Sequence, residues 1–275
     1  MLTETAMERY HVTVDQVKAF SEQGFLKVEQ LIIPEEVQEI NDHTMYLLYG
    51  RVAVEGIEPP PPGMSPEEIE GRYLRVHMLH HKHELHERYL LHPRILDVLE
   101  VLIGPDVMAM QTMLFIKAPG QPGQGYHQDS YYIKTFPDHL CGAWIALDDV
   151  DEENGCVYMQ PGSQYEPITH NVQTPEDTDE HQEGLTEIIG VDRSKEVPVI
   201  AKAGDVVFFG GYVKHRSTKN RSDRFRRAFV SHYSNARSYT EWHGGNECQI
   251  LARGKTHLPY ATPKFDLTFD PEAQR

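Results

Sequence analysis

At Val107 the chain changes texture. Before it, apolar residues recur with helical spacing; after it, short β-branched and aromatic runs alternate and are separated by Gly, Pro and Asn. Residues 107–117, 139–150, 156–160, 205–210 and 228–234 read as strands. A strand-rich segment of this length must cover its apolar faces with a second layer, and the helical third upstream is available for that. There, Thr13-Val14-Asp15-Gln16 fits a capping box opening a helix to about Gln23, ended by Gly24. Residues 25–28 alternate as a strand. Pro34-Glu35-Glu36 opens a second helix to about Leu48, with Val37, Ile40, Tyr46 and Leu47 on one face. Pro59 to Pro62 form a stiff, extended loop, and helical signals return at 83–91 and 93–103. Residues 1–10 read as a frayed terminus, and the acidic stretch 171–196 as a long loop or lid with one short strand. The expectation is one domain over 1–275: a helical N-terminal third packed on an all-β core from about 105 to 240.

Charge narrows the partners. Acidic residues outnumber basic ones 42 to 26, a net charge of −16. Long-range repulsion disfavours nucleic acid and anionic membrane surfaces, and no apolar run approaches the roughly 18–20 residues that span a bilayer. The start, MLTETAMERYHVT, lacks the basic and apolar regions of a secretory signal. Three cysteines, Cys141, Cys156 and Cys248, are odd in number and few, which fits a reducing compartment. A cytoplasmic location is expected. No motif speaks to oligomeric state.

Sixteen histidines are many for this length, and histidine is the commonest metal ligand. In His127-Gln128-Asp129, positions i and i+2 of a strand would face the same side and share one metal ion. The triplet alone says little: His181-Gln182-Glu183 is another, and its acidic, unpatterned surroundings mark it as ordinary surface. His127, however, follows a convincing strand and the turn-rich loop 118–125. His215 lies just past the strand 205–209. Two histidines and one carboxylate from separate strands make a facial site with three open positions, the geometry of non-haem Fe(II) oxygen chemistry. The run His80-His81-Lys82-His83-Glu84-Leu85-His86 lacks a clean i,i+4 histidine pair and reads as a solvated or partly packed start of a helix, with a lid role as the alternative. Tyr126, Tyr131 and Tyr132 flank the triplet and serve either packing or substrate contact.

Residues 214–227 hold seven Lys/Arg and one Asp. Most read as a solvated turn balancing nearby acids. Arg226 differs: it opens a strand eleven residues after His215, one hairpin later, where it could sit beside the metal and grip a carboxylate through two parallel hydrogen bonds.

These residues carry a resemblance. Residues 108–114 (MAMQTML), His127-Gln128-Asp129, Trp144-Ile145-Ala146-Leu147-Asp148, Glu153-Asn154-Gly155-Cys156, Pro161-Gly162-Ser163, Ala203-Gly204-Asp205, His215-x-Ser217-x-x-Asn220 and Arg226-Arg227-Ala228 resemble, in order and spacing, the phytanoyl-CoA dioxygenase family of Fe(II)/2-oxoglutarate-dependent oxygenases. They span about 100 to 235. The resemblance implies a mainly β fold with flanking helices around a double-stranded β-helix (jelly-roll, cupin-like) core. It implies His127, Asp129 and His215 as iron ligands and catalytic centre, and Arg226 with Ser217 on the distal carboxylate of 2-oxoglutarate. Trp144 and Met113 match positions lining the cosubstrate pocket, and Arg75 matches a basic cosubstrate contact. Gln164 departs from the family, which often has His after Pro-Gly-Ser, and would alter the substrate side.

The implied cofactors are Fe(II), the cosubstrate 2-oxoglutarate and O2, giving succinate and CO2 and oxidising a C–H bond of a small-molecule substrate. Asp129 favours hydroxylation over halogenation, because related halogenases replace this carboxylate to admit chloride. The loops 50–82 and 165–200 would shape the pocket. Rival readings are a metal-dependent jelly-roll enzyme without 2-oxoglutarate, which would not need Arg226 and Ser217, and a non-catalytic iron or 2-oxoglutarate sensor.

Overall fold

Thr13 caps α1 (Val14–Gln23) as expected: its hydroxyl accepts from the Gln16 N–H while the Gln16 side chain accepts from the Thr13 N–H. Gly24 ends the helix at φ +86°, and a Cβ there would come within 2.6 Å of Val213. The computed structural model describes residues 9–240 and 249–258; most of the predicted frayed terminus, and Cys248, lie outside them. After β1 (Phe25–Val28), α2 (Pro34–Leu48) starts on Pro34 and buries Val37, Ile40 and Leu47. Tyr46 does not join that face. It is exposed, because His43 and Thr44 complete the buried stripe instead.

The upstream segment continues with α3 (Pro66–Gly71), β2 (Arg75–His77), α4 (Glu84–Leu90) and α5 (Pro93–Leu102). The β-rich part follows with β3 (Val107–Lys117), the single helical turn α6 (Asp129–Tyr132), β4 (Thr135–Phe136), β5 (Cys141–Ala146), β6 (Val157–Met159), β7 (Val172–Gln173) and β8 (Glu187–Ile188). It ends with β9 (Val197–Val199), β10 (Val206–Gly210), β11 (His215–Ser217), β12 (Arg226–Asn235), β13 (Tyr239–Thr240) and β14 (Ile250–Arg253). The acidic stretch carries two short strands, β7 and β8, which pair with each other, rather than one.

Among the described residues, the large antiparallel sheet runs β1-β10-β5-β12-β3-β14, with β2 also on β3. A smaller sheet runs β11-β6-β9 and is extended by an antiparallel bridge between His127 and His215. Alternation along the large sheet sorts its residues into two cores. Ala143, Ile145, Val206, Phe208, Phe229 and Tyr233 pack against the helices. Trp144, Ala146, Val207, Phe209, Ala228 and Val230 face the other way and meet Met159 and Val199 of the small sheet. This is the expected jelly roll, mainly β with flanking helices. The histidine run is partly packed: His81 is exposed, whereas His80 and His86 are buried, His80 against Thr112 and His86 against His43 and Phe229. Among the described residues no helix is long and apolar enough to cross a membrane.

Candidate active site

Between the two sheets lies a cavity of about 310 Å³. Cross-strand register explains its walls. His232, Val230, Ala228 and Arg226 of β12 stand opposite Gln111, Met113, Phe115 and Lys117 of β3, and Trp144 of β5 stands opposite Val230 and Val207. Side chains two apart share a face, so this one grid points inward. All eight residues singled out from the sequence, His127, Asp129, His215, Arg226, Ser217, Trp144, Met113 and Arg75, line the cavity. The loops 50–82 and 165–200 contribute too, through Arg75 and His77 and through Leu185 and Val199.

His127, Asp129 and His215 present ligand atoms within 4.8 Å of one another. Asp129 Oδ1 lies 3.6 Å from Nε2 of both histidines. The convergence is not the i,i+2 geometry of one strand. His127 is extended, bridged to His215, whereas Asp129 begins the turn α6, in which the Ile133 N–H donates to the Asp129 carbonyl. The turn swings the carboxylate towards the histidines. Gln128, between them, is buried and faces elsewhere, donating to the Tyr212 carbonyl and accepting from the Thr169 N–H.

The imidazole tautomers are set by the backbone. His127 Nδ1–H donates to the Gly125 carbonyl and His215 Nδ1–H to the Val213 carbonyl, each at 2.9 Å. A carbonyl only accepts, so both Nε2 atoms carry the lone pair on the side of Asp129; that of His215 is left for a metal, and that of His127 accepts from the Gln124 amide, which a metal would displace. Burial, and then His215, push the His127 pKa down to about 3, which keeps the ring neutral as ligation requires. Burial alone would raise the Asp129 pKa; the imidazoles of His215, His232 and His127 outweigh it and hold the carboxyl below its ordinary value. Two neutral imidazoles and one ionised carboxylate fit a divalent iron.

The basic run resolves as two cases. Lys214 pairs with Glu166, Arg216 with Glu196, Lys219 with Asp179, Arg221 with Glu180, Arg224 with Asp151 and Arg227 with Asp148. Arg226 alone of the seven has no carboxylate partner among the described residues. It is buried, its Nε has no hydrogen-bond partner among the described residues, and it lies about 6 Å from the Phe115 and Trp144 ring centres. Burial pushes its pKa down to about 10. An unpaired buried guanidinium is costly, and an incoming carboxylate relieves the cost.

Other positions correct or extend the sequence reading. Gln164 is not on the substrate side: its amide donates to the Ser21 and Glu22 carbonyls at the end of α1. Of the flanking tyrosines only Tyr132 lines the cavity; the Tyr126 hydroxyl is tied to Glu196, and Tyr131 packs on Tyr132 and His170. His181 sits opposite Gly123 of the 118–125 loop, to which its neighbours Glu180 and Gln182 hydrogen-bond, and stands apart from the ligand cluster. Sequence reasoning missed His232, whose Nε2–H donates to Asp129 Oδ2 at 2.8 Å, and Gln111, whose amide meets His232 Nδ1 at 2.9 Å. It also missed Lys117 and Gln124; the Gln124 amide donates to His127 Nε2 at 3.0 Å. The signal for His232 was its even spacing from Arg226, and for Gln111 and Lys117 their spacing from Met113.

Residues 20–228 match the family described as Phytanoyl-CoA dioxygenase (PhyH). The chain belongs to this family. The peroxisomal phytanoyl-CoA dioxygenase of Rattus norvegicus is 28% identical over 263 residues, which cover 88% of this chain and 71% of that protein. Phytanoyl-CoA dioxygenase domain-containing protein 1 of Danio rerio is 33% identical over 180 residues, 63% of this chain and 60% of its own. Among solved structures, the non-heme monooxygenase ThoJ in its apo form matches with a TM-score of 0.66 and 25% identity, over 94% of this chain and 92% of its own. The epimerase SnoN, solved with Fe3+, alpha ketoglutarate and nogalamycin RO, matches with a TM-score of 0.62 and 19% identity, over 82% and 84%; that likeness is one of fold. As a PhyH-family member the chain is a non-haem Fe(II)/2-oxoglutarate-dependent oxygenase, with Fe(II), 2-oxoglutarate and O2 as its cofactors.

Proposed function

We propose that this PhyH-family enzyme hydroxylates an aliphatic carbon of a small-molecule substrate within a single domain. The observation that carries the reading is Arg226, a buried cation without an acid partner among the described residues, lining the same cavity as three convergent metal ligands. His127, Asp129 and His215 would hold Fe(II). Arg226, with Ser217, would hold the distal carboxylate of 2-oxoglutarate, Trp144 and Met113 would wall it, and Arg75 would add a second cation. Bound together, iron and 2-oxoglutarate supply an O2-derived oxidant, with succinate and CO2 as by-products. The chain's own task is to orient and to exclude water: Phe115, Met159, Val207 and Phe209 leave the site largely apolar. Asp129 would fill the ligand position that related halogenases vacate for chloride, which supports hydroxylation. The −16 charge supports a partner other than nucleic acid or an anionic membrane. Buried free thiols at Cys141 and Cys156 support a cytoplasmic location.

The test begins with apo protein given Fe(II), ascorbate and 2-oxoglutarate. Slow succinate release is expected without prime substrate, and faster release with the right member of a compound library. A mass gain of one oxygen atom in the consumed compound establishes hydroxylation. No succinate under any condition would favour a metal enzyme independent of 2-oxoglutarate, or a sensor.

A further inference from the structure

Lys117 ends β3 fully buried, opposite Arg226 in the register of the two strands. Two neighbouring interior basic groups, with no carboxylate hydrogen-bonded to either among the described residues, are costly to charge together and favour the arrival of an anion. The Lys117 ammonium donates to the Thr218 carbonyl at 2.6 Å and to Ser217 Oγ at 3.3 Å. The Gln124 backbone N–H donates to the same Oγ at 3.0 Å. Gly123 makes that approach possible, since a Cβ there would lie 2.1 Å from the Ser217 carbonyl oxygen.

A serine hydroxyl has two acceptor lone pairs and one proton, and a charged lysine has donors only. With both lone pairs of Ser217 taken, its proton is left to be donated into the cavity that Ser217 lines with Arg226. We propose that Lys117 is a positioning residue that, from behind the cavity wall, fixes the Ser217 hydroxyl as a donor beside Arg226 and so selects a 2-oxo diacid over a 2-oxo monoacid. This rests on the 2-oxoglutarate reading above and adds to it the source of cosubstrate selectivity. Burial, and then Arg226, push the Lys117 ammonium well below lysine's ordinary value, so an arriving carboxylate also favours the charged, donor-only form.

The test uses the full chain loaded with Mn(II), and calorimetric titration with 2-oxoglutarate and with 2-oxobutanoate, which lacks the distal carboxylate. K117M should weaken 2-oxoglutarate about tenfold, the scale of one charge-assisted hydrogen bond, and leave 2-oxobutanoate unchanged. S217A should do the same, and the double variant should be no worse than either alone. Where K117M fails to fold, K117Q, which keeps a donor without the charge, should still weaken 2-oxoglutarate selectively. Equal losses for both keto acids, no loss for either, or multiplicative losses in the double variant would overturn the proposal. A wild-type protein that binds Mn(II) but not 2-oxoglutarate would overturn the parent reading as well.

Discussion

Two groups of three histidines sit on opposite faces of the large sheet. His127, His215 and His232 gather on the cavity side; His43, His83 and His86 gather on the helix side, where His86 stacks on Phe229. In the first group the ring nitrogens have set tasks: two Nδ1–H groups donate to carbonyls two residues back, and His232 donates to Asp129. In the second, both nitrogens of His86 and Nε2 of His43 have no hydrogen-bond partner among the described residues. No carboxylate is hydrogen-bonded to any of these three rings among the described residues. Burial pushes His43 down to about 4 and His86 down to about 3. Abundance and burial do not make histidines into ligands. Partners that fix the tautomer, and a negative charge between the rings, do.

The largest expected effect is on the first group. His127→Ala, Asp129→Ala or His215→Ala should each reduce metal binding and succinate release to background, while His86→Leu leaves both intact. Equilibrium dialysis and a succinate assay read this directly, and loss of metal in His86→Leu would erase the contrast. Arg226→Ala comes next. Removing one side of a buried, bidentate charge contact costs roughly 2–4 kcal/mol, so KM for 2-oxoglutarate should rise about 30-fold to a thousandfold. An unchanged KM would strip Arg226 of its role. His232→Leu should weaken metal binding by roughly 10–100-fold without abolishing it, because Asp129 loses the donor that orients it. Full affinity in that variant would make His232 mere packing.

The smallest effect concerns pH. His43 and His86 stay neutral in the fold well below the unfolded value near 6.5, so the unfolded chain binds more protons as pH falls. Stability should therefore decline from about pH 6.5 downward. The variant His43→Leu/His86→Leu should flatten that decline when apo-protein melting temperatures are compared at pH 7 and pH 5. His127, also depressed, contributes with the same sign to both proteins and cancels. Identical slopes would mean that the helix-side imidazoles do not titrate with unfolding.

Much of this was legible in the chain before any coordinates. Strand texture, the capping box at Thr13 and the turn-rich loop before His127 are local signals, so element types came through. His127, Asp129, His215 and Arg226 were found because ligand chemistry restricts residue type. What stayed hidden depends on register and distant contact. Nothing near His232 in sequence says that it meets Asp129; only the pairing of β12 with β3 and the turn α6 does. The burial of His86 depends on His43 and Phe229, and the place of Gln164 on the end of α1. Of seven clustered cations, sequence singled out Arg226 by its position on a strand. That the other six each have an acid partner could be seen only in space.

Anaerobic equilibrium dialysis with Fe(II) discriminates most sharply between the two histidine groups. One ion per chain in the wild type, retained in His43→Leu/His86→Leu and lost in His215→Ala, is the expected result. Retention of the ion in His215→Ala, with loss in the helix-side double variant, would place the metal on the wrong face of the sheet and contradict the assignment.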